Sequence, residues 1–420
     1  MPSLPAMSGE DLPRLSGPVP GPGSRSLVDR LAVRECPAIT ARRARRAHAL
    51  GVADTDPIVW EQAVGSNVAD ADGNVFVDLT AGFGVAALGH RHPRVVAAGQ
   101  AQLARLPHAM GDAFPDPTRI ALLERLAALS GLDRGILGCS GSDAVDAALK
   151  TAKMATGRDR ILAFHGGYHG LATGVLAVTH YRAEAFAAPF RARLGDAVDH
   201  VPFGALPDRL DGYGAVLVEP IQGRGGMRPA PDGWLRALRD RCTRDGAMLV
   251  LDEVFTGFGR TGHWFACHHE GVVPDLMAVG KGLASGFPIS ACLGRADVMD
   301  AWGASQGEAL HTQTFLGNPV GCAMALACLE VLEEQELPAR AARVGREWAE
   351  ALAAFGPVRG RGLMLGLALP DPLTVHRRLL AQGWIALPAG TRGEVLGLTP
   401  PLTVHARQLT GFVAALERCL

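Results

Sequence analysis

The stretch A-M-L-V-L-D, residues 247–252, decides more about the fold of this chain than any other. Its five apolar residues are followed at once by Asp252, a pattern typical of a strand that is buried on both faces of a sheet. A second run of this kind, L-M-A-V at 276–279, stops two positions before Lys281. Taken alone, the two charged residues also fit a helix cap and a surface lysine, so their meaning depends on the sequence around them.

Short apolar runs alternate with helical patterns through the middle of the chain. The helical periodicity is clearest at 143–156 and 233–245. The apolar runs that separate such segments lie at 136–139, 161–164, 200–203, 215–219, 248–252, 276–279 and 289–294. This alternation predicts an α/β fold in which helices cover a mostly parallel, seven-stranded sheet.

The two ends of the chain have a different character. Residues 1–25 are rich in Pro, Gly and Ser, which predicts a disordered leader and no secretory signal. Residues 67–78 alternate around a D-G-N turn and predict a β-hairpin. We expect residues 26–80 and 331–420 to form a smaller α+β domain that packs on a large domain spanning 81–330.

Composition and charge argue against several classes of function. The chain has 420 residues and a formal net charge of −1, which does not favour a nucleic-acid partner. No apolar run approaches the length of a bilayer span, so we expect a cytoplasmic protein without a membrane partner. The basic cluster at 42–46 is interpreted as a solvated surface. The C-H-H-E stretch at 267–270 lacks a second ligand cluster at zinc-like spacing, so no metal is expected.

A Ser-Gly-Ser-Asp stretch at 140–143 follows one predicted strand and opens a predicted helix. Free backbone amides at a helix N-terminus, next to a glycine and hydroxyl groups, can cradle a phosphate. An ordinary helix cap, with Ser140 as the N-cap and Asp143 facing the helix dipole, uses the same residues for the same physical reasons. Both interpretations stay open at this point.

Three further loops of unusual composition begin where predicted strands end: G-G-Y-H-G at 166–170, E-P-I-Q-G-R-G-G at 219–226 and D-E-V-F-T-G-F-G-R-T-G at 252–262. The first loop presents one aromatic ring between glycines, which suits stacking on a planar cofactor as well as a core tyrosine in a turn. Because the carboxyl ends of parallel strands face one crevice, we expect all these loops to share a site. In such a site, a lysine can form a Schiff base with pyridoxal phosphate (PLP) while an aspartate keeps the pyridine nitrogen protonated.

Together these stretches resemble the class III aminotransferases, the ornithine and GABA aminotransferase group of fold-type I PLP enzymes. The resemblance runs from about Asp70 to Leu402. Besides the loops above, it includes D-A-D-G-N-V-F-V-D-L-T-A-G-F-G-V-A-A-L-G-H-R-H-P at 70–93, P-D-L-M-A-V-G-K-G-L at 274–283 and T-Q-T-F-L-G-N-P at 312–319. It implies a homodimer with shared active sites.

The resemblance also implies roles for individual residues. Lys281 would be the Schiff-base lysine and proton shuttle, and Asp252 would be the partner of the pyridinium nitrogen. Phe83, in G-F-G, would line the substrate entrance. The other cofactor contacts it implies are Ser140, Gly141 and Ser142 at the phosphate, Tyr168 and Val254 on the two ring faces, His169 and Glu219 close by, and Thr314 at the phosphate of the neighbouring subunit.

Three positions depart from the family pattern. Phe255 stands where many members have a glutamine that bonds the cofactor hydroxyl. Arg224 replaces the acidic residue that usually follows Gln-Gly, and Gly397 replaces the arginine that pairs with this acid in the GABA and ornithine enzymes. We therefore expect the glutamate switch of those enzymes to be absent. Arg224 then either binds a substrate carboxylate from the opposite wall or points to solvent or to the partner subunit.

The activity that the resemblance implies is transamination by a ping-pong mechanism. The amino group would move from an amino acid or ω-amine donor to a keto acid, pyruvate or 2-oxoglutarate, with the missing tail arginine slightly favouring pyruvate. A racemase, epimerase or aminomutase on the same scaffold would share every motif and differ in where the proton returns. A non-catalytic protein that keeps the fold is a rival of another class, against which the intact Lys281, Asp252 and phosphate loop argue.

Overall fold

The computed structural model describes residues 5–40 and 57–420, so the basic cluster at 42–46 lies outside the described residues. The strands are β1 Trp60–Val64, β2 Asn67–Asp70, β3 Val75–Asp78, β4 Arg134–Gly138, β5 Ile161–Phe164, β6 Val198–Val201, β7 Ala215–Val218, β8 Ile221–Gln222, β9 Arg228–Pro229, β10 Met248–Asp252, β11 Leu276–Val279, β12 Ser290–Gly294, β13 Val358–Arg361, β14 Met364–Ala368, β15 Trp384–Ile385, β16 Leu387–Ala389 and β17 Val395–Leu398. The longer helices are Pro22–Ala32, Pro93–Arg105, Pro117–Ser130, Gly141–Thr156, Trp234–Asp245, Pro319–Glu334, Leu337–Leu352, Pro372–Leu380 and Ala406–Cys419. Short helical turns lie at Pro37–Thr40, Ala81–Gly84, Thr173–Leu176, Ala183–Ala187, Ala188–Phe190, Arg191–Leu194, Ala266–His269, Lys281–Ala284, Ala296–Met299 and Asp300–Trp302.

The central sheet has seven strands in the order β4-β12-β11-β10-β7-β5-β6. β12 runs antiparallel to β4 and β11, and the remaining neighbours are parallel. Along β10, Leu249 and Leu251 pack into one apolar cluster and Val250 packs into a second. Successive strand side chains point to opposite faces, so both faces of the sheet are covered. The predicted α/β fold with a mostly parallel, seven-stranded sheet is confirmed.

A second sheet, in the order β1-β2-β3-β15, combines the two ends of the chain. β2 and β3 form the predicted hairpin, with Gly73 at a φ of 82° in its turn. β15 adds to β3 in parallel, with Trp384 beside Val77. A third sheet, in the order β13-β14-β17-β16, lies in the C-terminal segment. The domain limits drawn from the sequence stay a prediction.

The described part of the N-terminal segment, residues 5–25, runs across the hairpin and is hydrogen-bonded to it, which corrects the expectation of disorder for these residues within the predicted leader 1–25. Arg14 and Val75 exchange backbone hydrogen bonds of 2.9 and 2.8 Å. The side chain of Asn67 accepts from the Asp11 amide at 2.8 Å and donates to the Asp11 carbonyl at 2.9 Å. These partners are more than fifty positions apart, so local composition could not reveal them.

Asp72, in the hairpin turn, caps the helix Pro22–Ala32 from outside its own segment. Its carboxylate accepts from the Gly23 amide at 2.6 Å and from the Ser24 amide at 2.8 Å. Burial raises the pKa of Asp72, but the hydrogen bonds from Ser24 and Gly23 outweigh burial, so its pKa lies below the ordinary value of 3.8. A carboxylate with a depressed folded pKa stabilises the fold above its unfolded pKa and loses this effect as pH falls through the folded pKa.

We therefore expect Asp72→Ala to lower the free energy of unfolding by about 1 kcal/mol at pH 7, as loss of a helix cap does. The difference from the wild type should shrink as the pH falls below 3.8. Urea unfolding at several pH values measures this difference. Asp29→Ala, an exposed position on the same helix, is the matched control. An equal effect of the two substitutions would contradict the capping role.

Among the described residues, no helix combines the length and the apolar character that a membrane crossing requires.

Candidate active site

The carboxyl ends of β4, β5, β7, β10 and β11 lie at one edge of the central sheet, because these strands run in the same direction. The loops that leave this edge carry the residues selected from the sequence. We call this place the strand-edge site and describe it residue by residue.

Lys281 follows β11 and Gly280 and begins the short turn Lys281–Ala284. Its φ of 38° lies in the left-handed region, which is strained for a residue with a side chain and is found preferentially at functional sites. Burial lowers the pKa of the Lys281 ammonium group, while Asp252 and Glu219 raise it and Arg224 lowers it further. The net result is a lowered pKa, which favours the neutral, nucleophilic amine.

Asp252 ends β10 and is held by two donors. The Nδ1 atom of His169 lies 2.8 Å from Asp252 Oδ2, and the Val254 amide donates to Oδ1 at 3.1 Å. The side chains of His169 and Asp252 are 1% and 6% exposed. The His169 amide in turn donates to Thr179 Oγ1 at 3.0 Å. His169, predicted as a cofactor contact, therefore lies against the aspartate and fixes its orientation.

Glu219, the residue after β7, joins two loops of the site. Its Oε1 accepts from the Tyr168 amide at 2.9 Å and its Oε2 accepts from the Gly223 amide at 3.0 Å. Burial raises the pKa of Glu219, His169 opposes this shift, and the neighbouring Asp252 adds to it. Glu219 therefore positions the Tyr168 and Gly223 loops, and its raised pKa lets it hold a proton more readily than an ordinary glutamate.

The stretch at 140–143 serves as a helix cap and also leaves amides free. Asp143 N donates to Ser140 Oγ at 3.3 Å, and Ser140 N donates to Asp143 Oδ2 at 2.9 Å. The amides of Gly141 and Ser142 donate to no acceptor in the described part of the chain. A Cβ on Gly141 would lie 2.9 Å from Val254 Cγ1, so the backbone approaches this side chain closely only because the residue is glycine. The two sequence interpretations of this stretch are thus compatible.

Phe255 lies between the backbones of Gly84 and Gly223, where a Cβ on either glycine would collide with its ring. The ring centroid is 4.4 Å from Lys281 Nζ. Behind it, Phe255 packs on a small apolar cluster of Ile221, Met227, Met364 and Ala389. The substituted position at 397 faces the same cluster, since a Cβ there would lie 3.1 Å from Met227 Cε.

Phe83 sits in the turn Ala81–Gly84, in which four consecutive residues have φ between 46° and 80°. Asp78 holds this left-handed turn by accepting from the Thr80 amide at 2.8 Å and from the Gly82 amide at 2.9 Å. The Phe83 side chain is 62% exposed. A strained turn that presents an exposed ring is consistent with the predicted place at the substrate entrance. Asp78 was missed at the sequence level, although an acid directly before T-A-G-F-G was the available signal.

Arg224 lies over the Tyr168 ring, with its Cζ atom 4.4 Å from the ring centroid and 5.9 Å from that of Tyr181. The two tyrosine rings meet edge to face at 6.2 Å. Arg224 therefore covers one face of the Tyr168 ring, a contact that the sequence did not predict. Tyr181 belongs to none of the recognised motifs, and its only signal is that the chain has three tyrosines.

Thr314 is a predicted site residue that makes no hydrogen bond with the other site residues within the described part of a single chain. It is an exposed residue. The neighbouring Phe315 is 59% exposed. Across residues 5–40 and 57–420, no group of three His, Cys, Asp or Glu side chains is arranged to hold a metal ion.

The fold and this site define a class of protein: a fold-type I enzyme that uses PLP. The family model of the class III aminotransferases matches residues 50–420, and the chain belongs to this family.

Its relatives and structural neighbours agree with this assignment. The chain is 41% identical over 378 residues to the acetylornithine aminotransferase of Mycobacterium tuberculosis, in an alignment that covers 87% of this chain and 92% of that protein. The acetylornithine aminotransferase of Methanopyrus kandleri is 38% identical, with 87% and 94% covered.

Solved structures give the same result. A PLP-bound amine transaminase from an uncultivated Pseudomonas species superposes with a TM-score of 0.79 at 30% identity and covers 87% of this chain and 95% of that one. The ornithine aminotransferase of Toxoplasma gondii superposes with a TM-score of 0.79 at 28% identity and covers 93% and 96%. The protein is therefore a PLP-dependent aminotransferase, and none of these relatives supports the racemase alternative.

Proposed function

We propose that this aminotransferase takes the amino group of an amino acid or ω-amine donor and passes it to a keto acid in two half-reactions at the strand-edge site. The observation that carries the proposal is the placement of Lys281. Its amine has a lowered pKa and shares the site with the buried carboxylates of Asp252 and Glu219. A lysine in this setting is a better nucleophile and a readier proton carrier than an ordinary surface lysine.

The residues present fit PLP. Lys281 would hold the cofactor covalently and, once freed, would take and return the proton at the substrate carbon. Asp252, oriented by His169, would hold the pyridine nitrogen protonated, and the free amides of Gly141 and Ser142 would receive the phosphate. When bound, PLP supplies the electron sink that makes this proton acidic.

The donor we favour carries its reacting amine away from a carboxylate. Two relatives named above are acetylornithine aminotransferases, whose name states such a donor. For the acceptor, the apolar surroundings of Gly397 favour pyruvate over 2-oxoglutarate, because a second carboxylate would meet Met227 and Ala389 there.

A half-reaction tests the proposal. The PLP-loaded protein is mixed with N-acetylornithine or 5-aminopentanoate without a keto acid, and pyridoxamine phosphate is quantified by chromatography. One equivalent of pyridoxamine phosphate per site is expected. Exchange of the hydrogen on the amine-bearing carbon with solvent deuterium, without formation of pyridoxamine phosphate, would contradict transamination.

We also propose a homodimer with shared sites and a cytoplasmic location. The exposed Thr314 and Phe315 support the first, because they leave an uncovered surface that a second subunit can contact. Seven cysteines are free thiols in the described part of the chain and support the second: Cys139, Cys242, Cys267, Cys292, Cys322, Cys328 and Cys419.

Mixing two defective variants tests the shared site. A Lys281→Ala chain still supplies Thr314 to its partner, and a Thr314→Asp chain, whose added charge would repel the phosphate, still supplies Lys281. The two variants are mixed one to one, and their dimers are dissociated to monomers and allowed to reassemble. The mixture should regain about one quarter of wild-type activity, because half of the dimers are mixed and one of the two sites in each mixed dimer is intact. The Lys281→Ala, Thr314→Asp double variant mixed with Lys281→Ala is the control. No gain in the first mixture would show that each site is built from one chain.

A further inference from the structure

We propose that Arg224, held against Tyr168 and Tyr181, forms an anion subsite that binds the carboxylate of a substrate whose remaining chain is aliphatic. This inference rests on the proposed function and specifies its substrate class.

The position of Arg224 is fixed from both sides of its loop. The Gly390 amide donates to the Arg224 carbonyl at 2.9 Å, and the Tyr181 hydroxyl donates to the Gly390 carbonyl at 3.4 Å. The Tyr181 amide is itself bonded to the Gly167 carbonyl at 2.8 Å. Three separate segments therefore meet at Gly390 and fix the backbone of Arg224, while stacking on the Tyr168 ring, 4.4 Å away, places its guanidinium group before a ligand binds.

The guanidinium group lacks a counter-ion in the described part of the chain. No ion pair or side-chain hydrogen bond of Arg224 is present there, although the residue is half-buried. The two nearby carboxylates are otherwise engaged, Asp252 by His169 and Glu219 by two backbone amides. A half-buried guanidinium that is stacked on a ring and unpaired favours a planar anion such as a carboxylate, which it can bind through two parallel hydrogen bonds.

Arg224 also lies in the same electrostatic environment as the reacting amine. Its charge lowers the pKa of Lys281. A carboxylate bound to Arg224 would neutralise a charge that opposes protonation of Lys281.

The apolar surface around Phe255 determines the polarity of the substrate chain that the site can accept. Phe255 presents its ring beside Lys281, and Met227, Met364 and Ala389 pack behind it. An aliphatic chain gains from contact with this surface, whereas a second carboxylate placed against it would lose its hydration without a partner. The substrate class is therefore a primary amine joined by a short aliphatic chain to one carboxylate.

Binding of an unreactive acid tests the subsite without turnover. The dissociation constants of pentanoate and of pentan-1-ol, an uncharged probe of the same length, are measured by isothermal titration calorimetry on the PLP-loaded wild type, Arg224→Met and Arg228→Met. Arg228 also lies over an aromatic ring, Phe203, with 5.6 Å between Cζ and the centroid, and is the matched control.

Arg224→Met should weaken pentanoate binding by about tenfold or more, the effect of losing a charge-assisted pair, and should leave pentan-1-ol binding unchanged. Arg228→Met should change neither constant. Equal pentanoate affinity in the wild type and in Arg224→Met would overturn the inference, as would a wild type that does not prefer pentanoate to pentan-1-ol.

Failure of this inference can be told apart from failure of the proposed function. Borohydride reduction of the PLP-loaded Arg224→Met protein should still attach the cofactor to Lys281. If the reduced cofactor is attached to Lys281 but Arg224→Met binds pentanoate like the wild type, only the subsite is refuted. If wild-type Lys281 carries no label, the proposed function itself fails.

Discussion

Replacing Lys281 with alanine is expected to reduce the rate of the first half-reaction by roughly 10²–10⁴-fold, the range for loss of a positioned acid–base group. The substitution removes the amine that carries the proton and the covalent link to the cofactor. Lys281→Arg should be about as inactive, because its guanidinium group keeps the charge but does not release a proton. Single-turnover formation of pyridoxamine phosphate, followed after rapid mixing with donor, measures the rate.

Lys150→Ala is the control for this prediction, because Lys150 is an exposed lysine paired with Asp146 at 2.8 Å on the surface of the helix Gly141–Thr156. Its substitution should leave the rate unchanged. Thermal unfolding of Lys281→Ala separates loss of chemistry from loss of fold. A folded Lys281→Ala protein that converts donor at the wild-type rate would contradict the assigned role.

Asp252→Asn is expected to have the second largest effect, a fall in kcat of roughly 10²–10³-fold, the size seen when a preorganised electrostatic partner is removed. The amide has nearly the same shape, and its single oxygen can still accept from one of the two donors, His169 or the Val254 amide. It is neutral, however, and cannot keep the pyridine nitrogen protonated. The loss should therefore appear in kcat with a smaller change in protein stability.

A comparison with His169 separates charge from orientation. His169→Gln keeps a donor near Asp252 but loses the rigid ring, so its kcat should fall less than that of Asp252→Asn. The two substitutions touch one hydrogen-bonded pair, so the double variant should be no worse than Asp252→Asn alone. Additive losses, or an Asp252→Asn variant with unchanged kcat, would refute the proposed partnership.

The fold could be predicted because its central strands are buried on both faces. The runs around Val250 and Met277 are apolar in consecutive positions. Next to segments with helical periodicity, such runs are typical of parallel strands that helices cover on both faces. The same strand pattern predicted that Lys281, Asp252 and Glu219 lie close together, because the carboxyl ends of parallel strands share one edge of the sheet.

The contacts that could not be predicted are those between residues far apart in sequence. Tyr181 reaches Tyr168 from a segment without a motif, and Gly390 ties the Arg224 loop to Tyr181 from the C-terminal segment. The segment 5–25 was misjudged for the same reason. Its Pro and Gly content is typical of disorder, but its hydrogen bonds are made with a hairpin more than forty positions away.

The most direct test of the central claim is the site of attachment of the cofactor. The chain has only three lysines, Lys150, Lys153 and Lys281. The PLP-loaded wild type is reduced with borohydride and digested, and the labelled peptide is identified by mass spectrometry. A single label on Lys281, close to one per chain and absent from Lys281→Ala, is the predicted result. A label spread over Lys150 and Lys153, or a Lys281 peptide that stays unmodified in the loaded protein, would contradict the account.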